Sequence, residues 1–344
     1  MPAKELSGIY LDNKRKPMIW RTYGTYPPVV SVPRKEARLC HFIDVVPRGN
    51  TQPYINDVQH ILFVPGMSRD YTRRLAEAPR LEREFRSDNC KAVFVFSDDN
   101  LRQAARHIDV SGMEHKLHVV LPAYPDQPDN PYKHTGPFTI LTISNKFWGR
   151  GVPLAIEVFR TLRKKYGKAV RMKLVCEDVP KGYPLVEDLE LIRVRRLDGR
   201  LRAKLYQEAN VFLLLSLHEF GVILETMARG IPTVSTPIGG GGWVLPGQTG
   251  LIVKPPFHLY GEGFGTKWKT WNQFCGIVKA HFERGDLSYM ITEGVAYVEF
   301  LMNNPAQAKE MGRAAQRQQR EKHSPKPRNR QVRRIYAEIL KGIA

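Results

Sequence analysis

Short runs of β-branched and aromatic residues recur in the first part of the chain, and such runs are typical of buried strands. Four are predicted: RLCHFIDVV, QHILFVP, KAVFVFS and KLHVVLP. The segment DNLRQAARHI, which follows the third run, has the spacing of a helix. A stretch rich in Pro and Asp, 121–137, comes next and is predicted to be an interdomain linker.

The second part of the chain alternates strands and helices more regularly. The predicted strands are FTILTIS, VRMKLVCED, NVFLLLSL, PTVSTP and TGLIVKP, and the helices between them are PLAIEVFRTLRKKYG, LRAKLYQEA and LETMARG. This alternation predicts a doubly wound α/β domain, in which ligands bind outside the carboxyl ends of the strands. The pattern breaks over 255–292, which is rich in aromatics and glycine. Three helices are then predicted: EGVAYVEFLMNN, PAQAKEMGRAAQRQQREKH and PRNRQVRRIYAEILKG.

Composition narrows the class of protein. A chain of 344 residues predicts two domains, and 42% hydrophobic residues are ample for their cores. The sequence has no apolar run of about 20 residues and no signal-peptide core, so a cytoplasmic protein is predicted. The cysteines are far apart and form no CxxC pair, which favours free thiols in a reducing compartment over a zinc site. They are Cys40, Cys90, Cys176 and Cys275.

The charge is strongly basic. Lys and Arg number 53 against 34 Asp and Glu, which gives +19. Such a balance predicts an anionic partner: nucleic acid, an acidic lipid surface or a phosphorylated small molecule. The predicted C-terminal helix is itself rich in cations, and it is the candidate for peripheral contact with an anionic membrane or nucleic acid.

The loop SNKFWGRGVP joins a predicted strand to a predicted helix. It carries Lys146 and Arg150, and a helix N-terminus offers free N–H groups with a partial positive charge. Two cations beside such a terminus suit a diphosphate. Ser144 and Asn145, where the strand ends, belong to the same predicted site.

The stretch SLHEFGVILETMARGIPTVSTPIGGGGW combines two acids with a glycine run. Glu219 follows His218 at the end of an apolar strand, and Glu225 begins the next helix. Carboxylates at these places can accept hydrogen bonds from sugar hydroxyls or a ribose diol. The glycines at 239–242 let backbone N–H groups approach an oxyanion closely, because they lack a Cβ. A nucleotide sugar carries both hydroxyls and a diphosphate, and it satisfies all of these features.

These motifs resemble those of GT-B glycosyltransferases of the GT4 type. The family pattern is an acid, Phe-Gly, a Glu that opens an EAMA-x-G-x-P-V helix, a Gly-Gly loop and G-x-T/N-G-L-L-V. The loop SNKFWGRGVPLAIEVF is similar to the donor loop G-R-x-x-x-x-K-G, and NNPAQAKEMGRAAQ is similar to a late helix of the family. The matching positions of the first pattern are Phe220, Gly221, Glu225, Thr226, Met227, Ala228, Gly230, Pro232, Gly239, Gly240, Thr249, Gly250 and Leu251.

The resemblance implies a GT-B fold, with two Rossmann-like doubly wound domains that face a central cleft and a reduced N-terminal domain. The expected parts are an acceptor-side domain 1–134, a nucleotide-sugar domain 135–325 and a basic C-terminal helix 326–344 that packs back toward the first domain. The implied reaction is a retaining transfer from a UDP- or GDP-sugar, without a metal or another cofactor. The implied catalytic residues are Lys146, Arg150 and Glu219. The implied donor-binding residues are Ser144, Asn145, His218, Phe220, Gly221, Glu225, Thr226, Gly239, Gly240 and Gly241.

The sequence departs from the family in several places. The family separates its two acids by seven residues, whereas Glu219 and Glu225 are separated by five, so His218 is an alternative to Glu219. The N-terminal half is short and lacks the usual Gly-Gly loop after its first strand. The family also places a histidine of this half near the transferred sugar. The candidates, none with a matching motif, are His41, His60 and His107, and the residues predicted to line the cleft are Gly66 and Ser68.

The acceptor stays open, and lipid, glycan, protein and nucleic acid all remain candidates. The segment 255–292 matches no family pattern. Its aromatic and basic residues suit a lipid headgroup region, sugar rings, nucleic-acid bases or simple local packing; they are Lys267, Trp268, Lys269, Trp271 and Phe274. Two alternatives to the glycosyltransferase stay open: another GT-B enzyme, such as a sugar-nucleotide epimerase or a phosphorylase-like enzyme, and a basic nucleic-acid-binding protein on this scaffold.

Overall fold

The computed structural model describes residues 9–11, 38–43, 51–58, 71–105, 108–128, 136–194, 197–217, 221–237, 242–257 and 271–343. The chain divides into two compact units. The first contains Met1–Pro122 and Lys326–Ala344, and the second contains Ala123–Pro325.

The first unit is a parallel α/β layer. Its described strands are β1 (Ile9–Leu11), β2 (Leu39–Ile43), β3 (Tyr54–Val58), β4 (Cys90–Val95) and β5 (Leu117–Val119). They pair in chain order, and every pairing is parallel. Its helices are α1 (Tyr71–Arg86), α2 (Asp98–Ala105) and, from the other end of the chain, α9 (Pro325–Lys341).

Helix α9 is part of the core of the first unit. Its apolar residues Val332, Ile335 and Tyr336 are buried and pack against strand residues such as Ile55 and Phe94. The amide of Gln331 adds a 2.7 Å hydrogen bond to the carbonyl of Val119. Burial of one apolar stripe leaves the opposite side of this helix to its charged residues.

His41, a candidate for contact with the transferred sugar, lies inside this unit. It is 5% exposed, its Nδ1 shares a hydrogen bond with the Tyr336 hydroxyl, and its Nε2 lies 3.9 Å from Asp57 Oδ2. Arg328 donates to the same Asp57 oxygen at 2.7 Å. Burial first, and then the charge of Arg328, lower the pKa of His41 to about 3. The neutral imidazole helps to hold α9 on the sheet, and a contact between His41 and the transferred sugar stays a prediction.

The second unit has a parallel sheet built from β6 (Phe138–Ile143), β7 (Val170–Val175), β8 (Leu189–Ile192), β9 (Val211–Leu214), β10 (Thr233–Ser235) and β11 (Gly250–Ile252). The strand order is β11-β10-β9-β6-β7-β8, with every pairing parallel. Counted from the first strand of this sheet, the order is that of a Rossmann fold. The α/β fold class predicted from the sequence is confirmed.

Helices cover the sheet of the second unit. They are α3 (Val152–Tyr166), α4 (Gly199–Glu208), α5 (Val222–Ala228), α6 (Trp271–Glu283), α7 (Ser288–Asn303) and α8 (Pro305–Lys322). The central strand β9 is buried at all four positions, which is why its sequence is a continuous apolar run. Helix α8 packs on α5, and the amide of Gln316 donates to the carbonyl of Ala228 at 2.9 Å.

Several elements differ from the sequence prediction. The run QHILFVP lies outside the described residues, and β3, which precedes it, was not predicted. Helix α1 was not predicted either, since it contains Pro79, which normally breaks a helical pattern. The segment expected to be irregular from 255 onward contains helix α6. The linker also differs, because residues from Ala123 onward belong to the second unit rather than to a first domain that ends at 134.

We expect the buried His41 to make the unfolding free energy depend on pH. Its folded pKa of about 3 lies below the ordinary value of 6.5, so the unfolded chain binds more protons between these values. Stability is therefore complete above about pH 6.5, and roughly 2 kcal/mol of it is lost between about pH 7 and about pH 5. Urea unfolding at several pH values measures this loss. The variant His41→Phe should flatten the slope, whereas the exposed His115→Phe should keep it; equal slopes in both variants would contradict the assignment.

Candidate functional site

The candidate site lies where the second sheet reverses its strand order. Strands β6 and β9 are neighbours at the centre, and the chain continues from them toward opposite edges of the sheet. In such sheets a crevice opens outside the carboxyl ends of the two central strands. The segment 144–151 follows β6 there, and the segment 215–221 follows β9. Of the residues predicted to lie at the strand ends, Lys146 follows β6, whereas Glu219 and the glycines at 239–241 lie outside the described residues.

A close backbone approach joins these two segments at Gly151. A Cβ atom on this residue would lie 1.8 Å from the carbonyl oxygen of Leu215, and its φ angle is +65°. Both facts require glycine, because any other residue would clash and would be strained. Gly151 caps the N-terminus of α3, so the positive end of the helix dipole lies beside the end of β9. In its first turn the Val152 N–H donates to the Phe147 carbonyl at 3.1 Å, and Pro153 has no N–H to offer.

The segment after β6 begins with a turn fixed by Ser144. The buried Ser144 hydroxyl accepts from the Lys146 N–H at 3.1 Å and donates to the Lys146 carbonyl at 2.9 Å. This turn leaves the side chains of Asn145 and Lys146 exposed. Lys146 Nζ lies 3.3 Å from Asp178 Oδ2, in the segment after β7. Because both partners are well exposed, this pair contributes little to stability and can exchange for another anion.

Helix α6 forms an aromatic wall against the same segment. A Cβ on Gly149 would lie 2.8 Å from the Trp271 ring and 3.1 Å from Phe274. Further along α6, Phe282 packs edge-on to Trp148 with ring centroids 5.8 Å apart, and Lys279 lies over the Trp148 ring. The segment therefore has a rigid aromatic support.

The pKa of the Cys275 thiol on α6 depends on charged groups in and near the segment 144–151. Its pKa is raised, first by burial, and the negative charge of Asp178 acts in the same direction. A hydrogen bond from the Gly149 N–H and the positive charges of Lys146 and Arg150 act in the opposite direction. The charges of both predicted cations therefore act on this one thiol.

Glu225 is buried in a network of protein groups. The side chain is 7% exposed, and Tyr124 donates its hydroxyl to Oε1 at 2.9 Å. Arg202, on α4, donates to Oε2 at 3.4 Å, and Arg229 lies 3.9 Å from Oε1. Burial, together with the hydrogen bond to Glu225, raises the pKa of Tyr124, so this phenol stays protonated as a donor. The network orders the Glu225 carboxylate in the first turn of α5.

Of the other predicted donor-binding residues, Thr226 and Gly221 are among the described residues and the rest are not. Thr226 is fully buried and donates its hydroxyl to the Val222 carbonyl, whereas Gly221 is exposed at the start of α5. Gly242 closes the glycine loop, since its N–H donates to the Pro237 carbonyl at 3.1 Å. The remaining ones lie outside the described residues: His218, Glu219, Phe220, Gly239, Gly240 and Gly241. The same holds for His60, Gly66, Ser68 and His107.

Sequence reasoning missed four contributors to this site: Tyr124, Asp178, Arg202 and Trp271. Tyr124 was assigned to a linker, and the other three were assigned no role at the site. Each reaches the site from a segment distant along the chain, so no local spacing could reveal it. The one available signal was the unexplained aromatic content of 255–292.

The described residues contain neither a metal-binding cluster nor a helix that could cross a membrane. No group of three or more His, Cys, Asp or Glu side chains there is arranged to hold a metal ion. None of the helices in the described ranges combines the length and the apolar character needed to cross a bilayer.

The family comparison agrees with the position of the site. Residues 137–258, which run from β6 past β11, match the family described as glycosyl transferases group 1. The comparison with curated proteins gives no match. The family match confirms the glycosyltransferase resemblance predicted from the sequence, and it supports glycosyltransferase activity.

Solved structures with a similar fold are GT-B glycosyltransferases. Sucrose-phosphate synthase from Thermosynechococcus elongatus is 15% identical, with a TM-score of 0.59, over 89% of this chain and 74% of that one. TarM from S. aureus is 12% identical, with a TM-score of 0.60, over 92% and 57%. HepE from Anabaena, in complex with UDP and glucose, is 14% identical, with a TM-score of 0.57, over 88% and 78%. At these identities the likeness shows the fold.

We expect Trp271→Ala to loosen the segment 144–151. Removal of the ring leaves Gly149 without its support and costs about 3 kcal/mol of unfolding free energy. Hydrogen exchange at the amides of this segment should accelerate roughly tenfold or more, as measured by mass spectrometry. The matched control is Asn272→Ala, an exposed neighbour on the same helix. Unchanged exchange in Trp271→Ala would show that α6 does not support the segment.

Proposed function

We propose that the protein transfers a sugar from a nucleoside diphosphate sugar to an acceptor hydroxyl, by a GT4-type retaining reaction that needs no metal ion. The observation that carries this proposal is the reversal of strand order between β6 and β9. Lys146, Arg150 and the N-terminus of α3 follow β6, and the ordered carboxylate of Glu225 lies in α5, the helix that follows β9. UDP and UDP-glucose are bound by HepE, and UDP by TarM, which favours a UDP-sugar as donor.

The donor diphosphate binds, in this proposal, at the segment 144–151. Lys146 exchanges Asp178 for a phosphate, and Arg150 faces the second phosphate. The positive end of the α3 dipole adds partial positive charge. Ser144 and Asn145 belong to the same turn as Lys146, and we assign the backbone N–H groups of Gly239, Gly240 and Gly241 to the same diphosphate.

The nucleoside binds at Glu225. A carboxylate accepts two hydrogen bonds from a cis diol with good geometry, and a ribose is the part of the donor that carries one. We assign the hydroxyls of the transferred sugar to Glu219 and further donor contacts to His218, Phe220 and Gly221. Thr226 supports this arrangement from inside helix α5, where its hydroxyl is bonded to Val222.

The reaction breaks the bond between C1 of the sugar and the diphosphate oxygen, and it forms a bond from C1 to the acceptor oxygen on the same face. The acceptor proton moves to the departing diphosphate. The protein contributes by positioning and by stabilising negative charge on the leaving group. Lys146 and Arg150 supply that stabilisation.

The free thiols of the four cysteines favour a reducing compartment, such as the cytoplasm, as the place where the protein acts.

We propose that the acceptor partner is rich in phosphate, because helix α9 of the first unit carries a row of exposed cations. The exposed cations of this helix lie on the side opposite its buried stripe, and they are Lys326, Arg330, Arg333, Arg334 and Lys341. The only acid within the helix is Glu338, which lies 4.0 Å from Arg334. A one-sided row of cations attracts lipid headgroups and nucleic-acid backbones alike.

We expect a nucleoside diphosphate to raise the melting temperature, since binding to the folded state stabilises it by mass action. UDP, GDP and ADP are compared by thermal shift, and the matching sugar nucleotides are assayed for hydrolysis. Lys146→Ala and Arg150→Ala should each lower kcat about 10²-fold, because each removes a preorganised charge. Lys164→Ala, an exposed cation at the far end of α3, is the control.

Three outcomes would contradict this assignment. Absence of both binding and turnover with every nucleotide would count against a nucleotide-sugar enzyme of any kind. Formation of an epimerised nucleotide sugar without an acceptor would identify an epimerase, and phosphate-dependent sugar release would identify a phosphorylase-like enzyme.

We expect neutralisation of the exposed face of α9 to weaken binding to phosphate-rich partners. The variant carries Gln at 330, 333, 334 and 341, and the control carries Gln at 309, 313, 317 and 322 on α8. Binding to duplex DNA and to vesicles with anionic lipid is measured against salt. The α9 variant should lose at least about tenfold in affinity and much of the salt slope in one of these arms. Wild-type protein that binds neither partner, or an α9 variant with the wild-type slope, contradicts the proposal.

A further inference from the structure

Hydrogen bonds join the first segment of the second unit, at Tyr124, to its last segment, at Gln319 and His323. The chain passes between the units after Pro122 and again after Pro325. Close to these two points, the Tyr124 N–H donates to the His323 carbonyl at 2.8 Å. The side-chain amide of Gln319 donates to the Tyr124 carbonyl at 2.7 Å and to the His323 carbonyl at 3.3 Å. One buried glutamine thus joins the two segments that lead to the crossings.

These contacts are shielded from water. Gln319 is fully buried and His323 is 2% exposed, although both are polar residues at the end of helix α8. Buried polar groups are retained where they are hydrogen-bonded, and loss of a partner costs about 1–3 kcal/mol. The position of the Tyr124 backbone is therefore well determined within the second unit.

The same cluster reaches two elements of the candidate site. The Tyr124 hydroxyl donates to Glu225 Oε1 at 2.9 Å. The side-chain amide of Gln318 donates to the carbonyl of Trp243 at 2.8 Å, and the Trp243 ring lies 5.7 Å from that of His323. Trp243 directly follows Gly242, the last residue of the glycine loop. The carboxylate and the loop are thus both tied to the end of α8.

We propose that Tyr124 is a positioning residue, which fixes the Glu225 carboxylate for the ribose diol of the donor. This inference rests on the proposed function and assigns a role to a residue outside the glycosyltransferase motifs. Tyr124 holds Oε1 and so sets the plane of the carboxylate. Oε2 then faces Arg202, whose side chain is 35% exposed, and it keeps a lone pair for a hydroxyl of the diol.

The physical gain is preorganisation. A glutamate side chain has several rotatable bonds, and fixing it upon binding costs free energy that the ligand must offset. In the unliganded chain the carboxylate is already ordered by a phenol that is itself held through its backbone. Removal of the Tyr124 hydroxyl lets the carboxylate turn toward Arg229, which lies 3.9 Å from Oε1. The ribose diol then meets a Glu225 carboxylate that is turned away from the position needed to accept its hydrogen bonds.

The experiment compares Tyr124→Phe with wild type by calorimetry, with UDP, GDP and ADP and with the 2′,3′-dideoxy analogue of the nucleotide that binds best. We expect Tyr124→Phe to weaken binding of the ribonucleotide about tenfold, as for one hydrogen bond to a charged group. Binding of the dideoxy analogue, which has no diol, should be unchanged. In an assay of turnover, the donor KM should rise by a similar factor while kcat changes less than about threefold.

Two further variants keep the test decisive. Tyr166→Phe, at the end of α3, is the matched control and should bind like wild type. In a Glu225→Gln background, Tyr124→Phe should cause no additional loss, since the two residues act through one contact. Circular dichroism confirms that each variant is folded before binding is measured.

The outcomes separate this inference from the proposed function. If wild type prefers the ribonucleotide but Tyr124→Phe binds it equally well, the positioning role is overturned and the proposed function stands. If Tyr124→Phe weakens the dideoxy analogue just as much, Tyr124 has a general structural role and the inference is again overturned. If wild type binds none of the nucleotides, both proposals fail together.

Discussion

The contact between Gly151 and the carbonyl of Leu215 is the constraint on which the candidate site depends. It brings the segment after β6 against the end of β9, where the sheet reverses direction, and no side chain fits between them. This approach places the N-terminus of α3, with Lys146 and Arg150 just before it, at the mouth of the crevice. A larger residue at 151 would force the segment after β6 away from the carbonyl of Leu215 at the end of β9.

Around that contact, the protein has added supports that come from distant parts of the chain. Helix α6 places Trp271 and Phe274 against Gly149, and the segment near Ala123 places a phenol against Glu225. Both additions order groups that would otherwise be mobile, at the cost of burying polar atoms that then need partners. The first unit also buries polar side chains that need partners. His41 and Asp57 are buried beneath α9, and Arg328 compensates the charge of the Asp57 carboxylate.

Local patterns in the sequence predicted the regular elements well where one physical cause was dominant. The continuous apolar run of β9 and the amphipathic helix α3, with its early proline and its terminal glycine, were both found, because burial and capping leave direct marks on the sequence. Helix α1 was missed because Pro79 contradicts its pattern, and β8 was missed because its residues are only partly buried. The glycosyltransferase resemblance came from three motifs, and the family match over 137–258 covers the two that lie around β6 and β9 but not the late helix at 303–316.

The sequence alone determined the α/β class, the parallel second sheet and the identity of the cations, acids and glycines that follow its strands. These features depend on neighbours along the chain, so periodicity and motif spacing reveal them. The tertiary structure alone decided that His41 is buried and neutral, that Asp178 forms an ion pair with Lys146, and that Tyr124 donates a hydrogen bond to Glu225. Each of these contacts joins segments far apart in the sequence. Their energies depend on burial and on distances between atoms, which no local pattern of residues records.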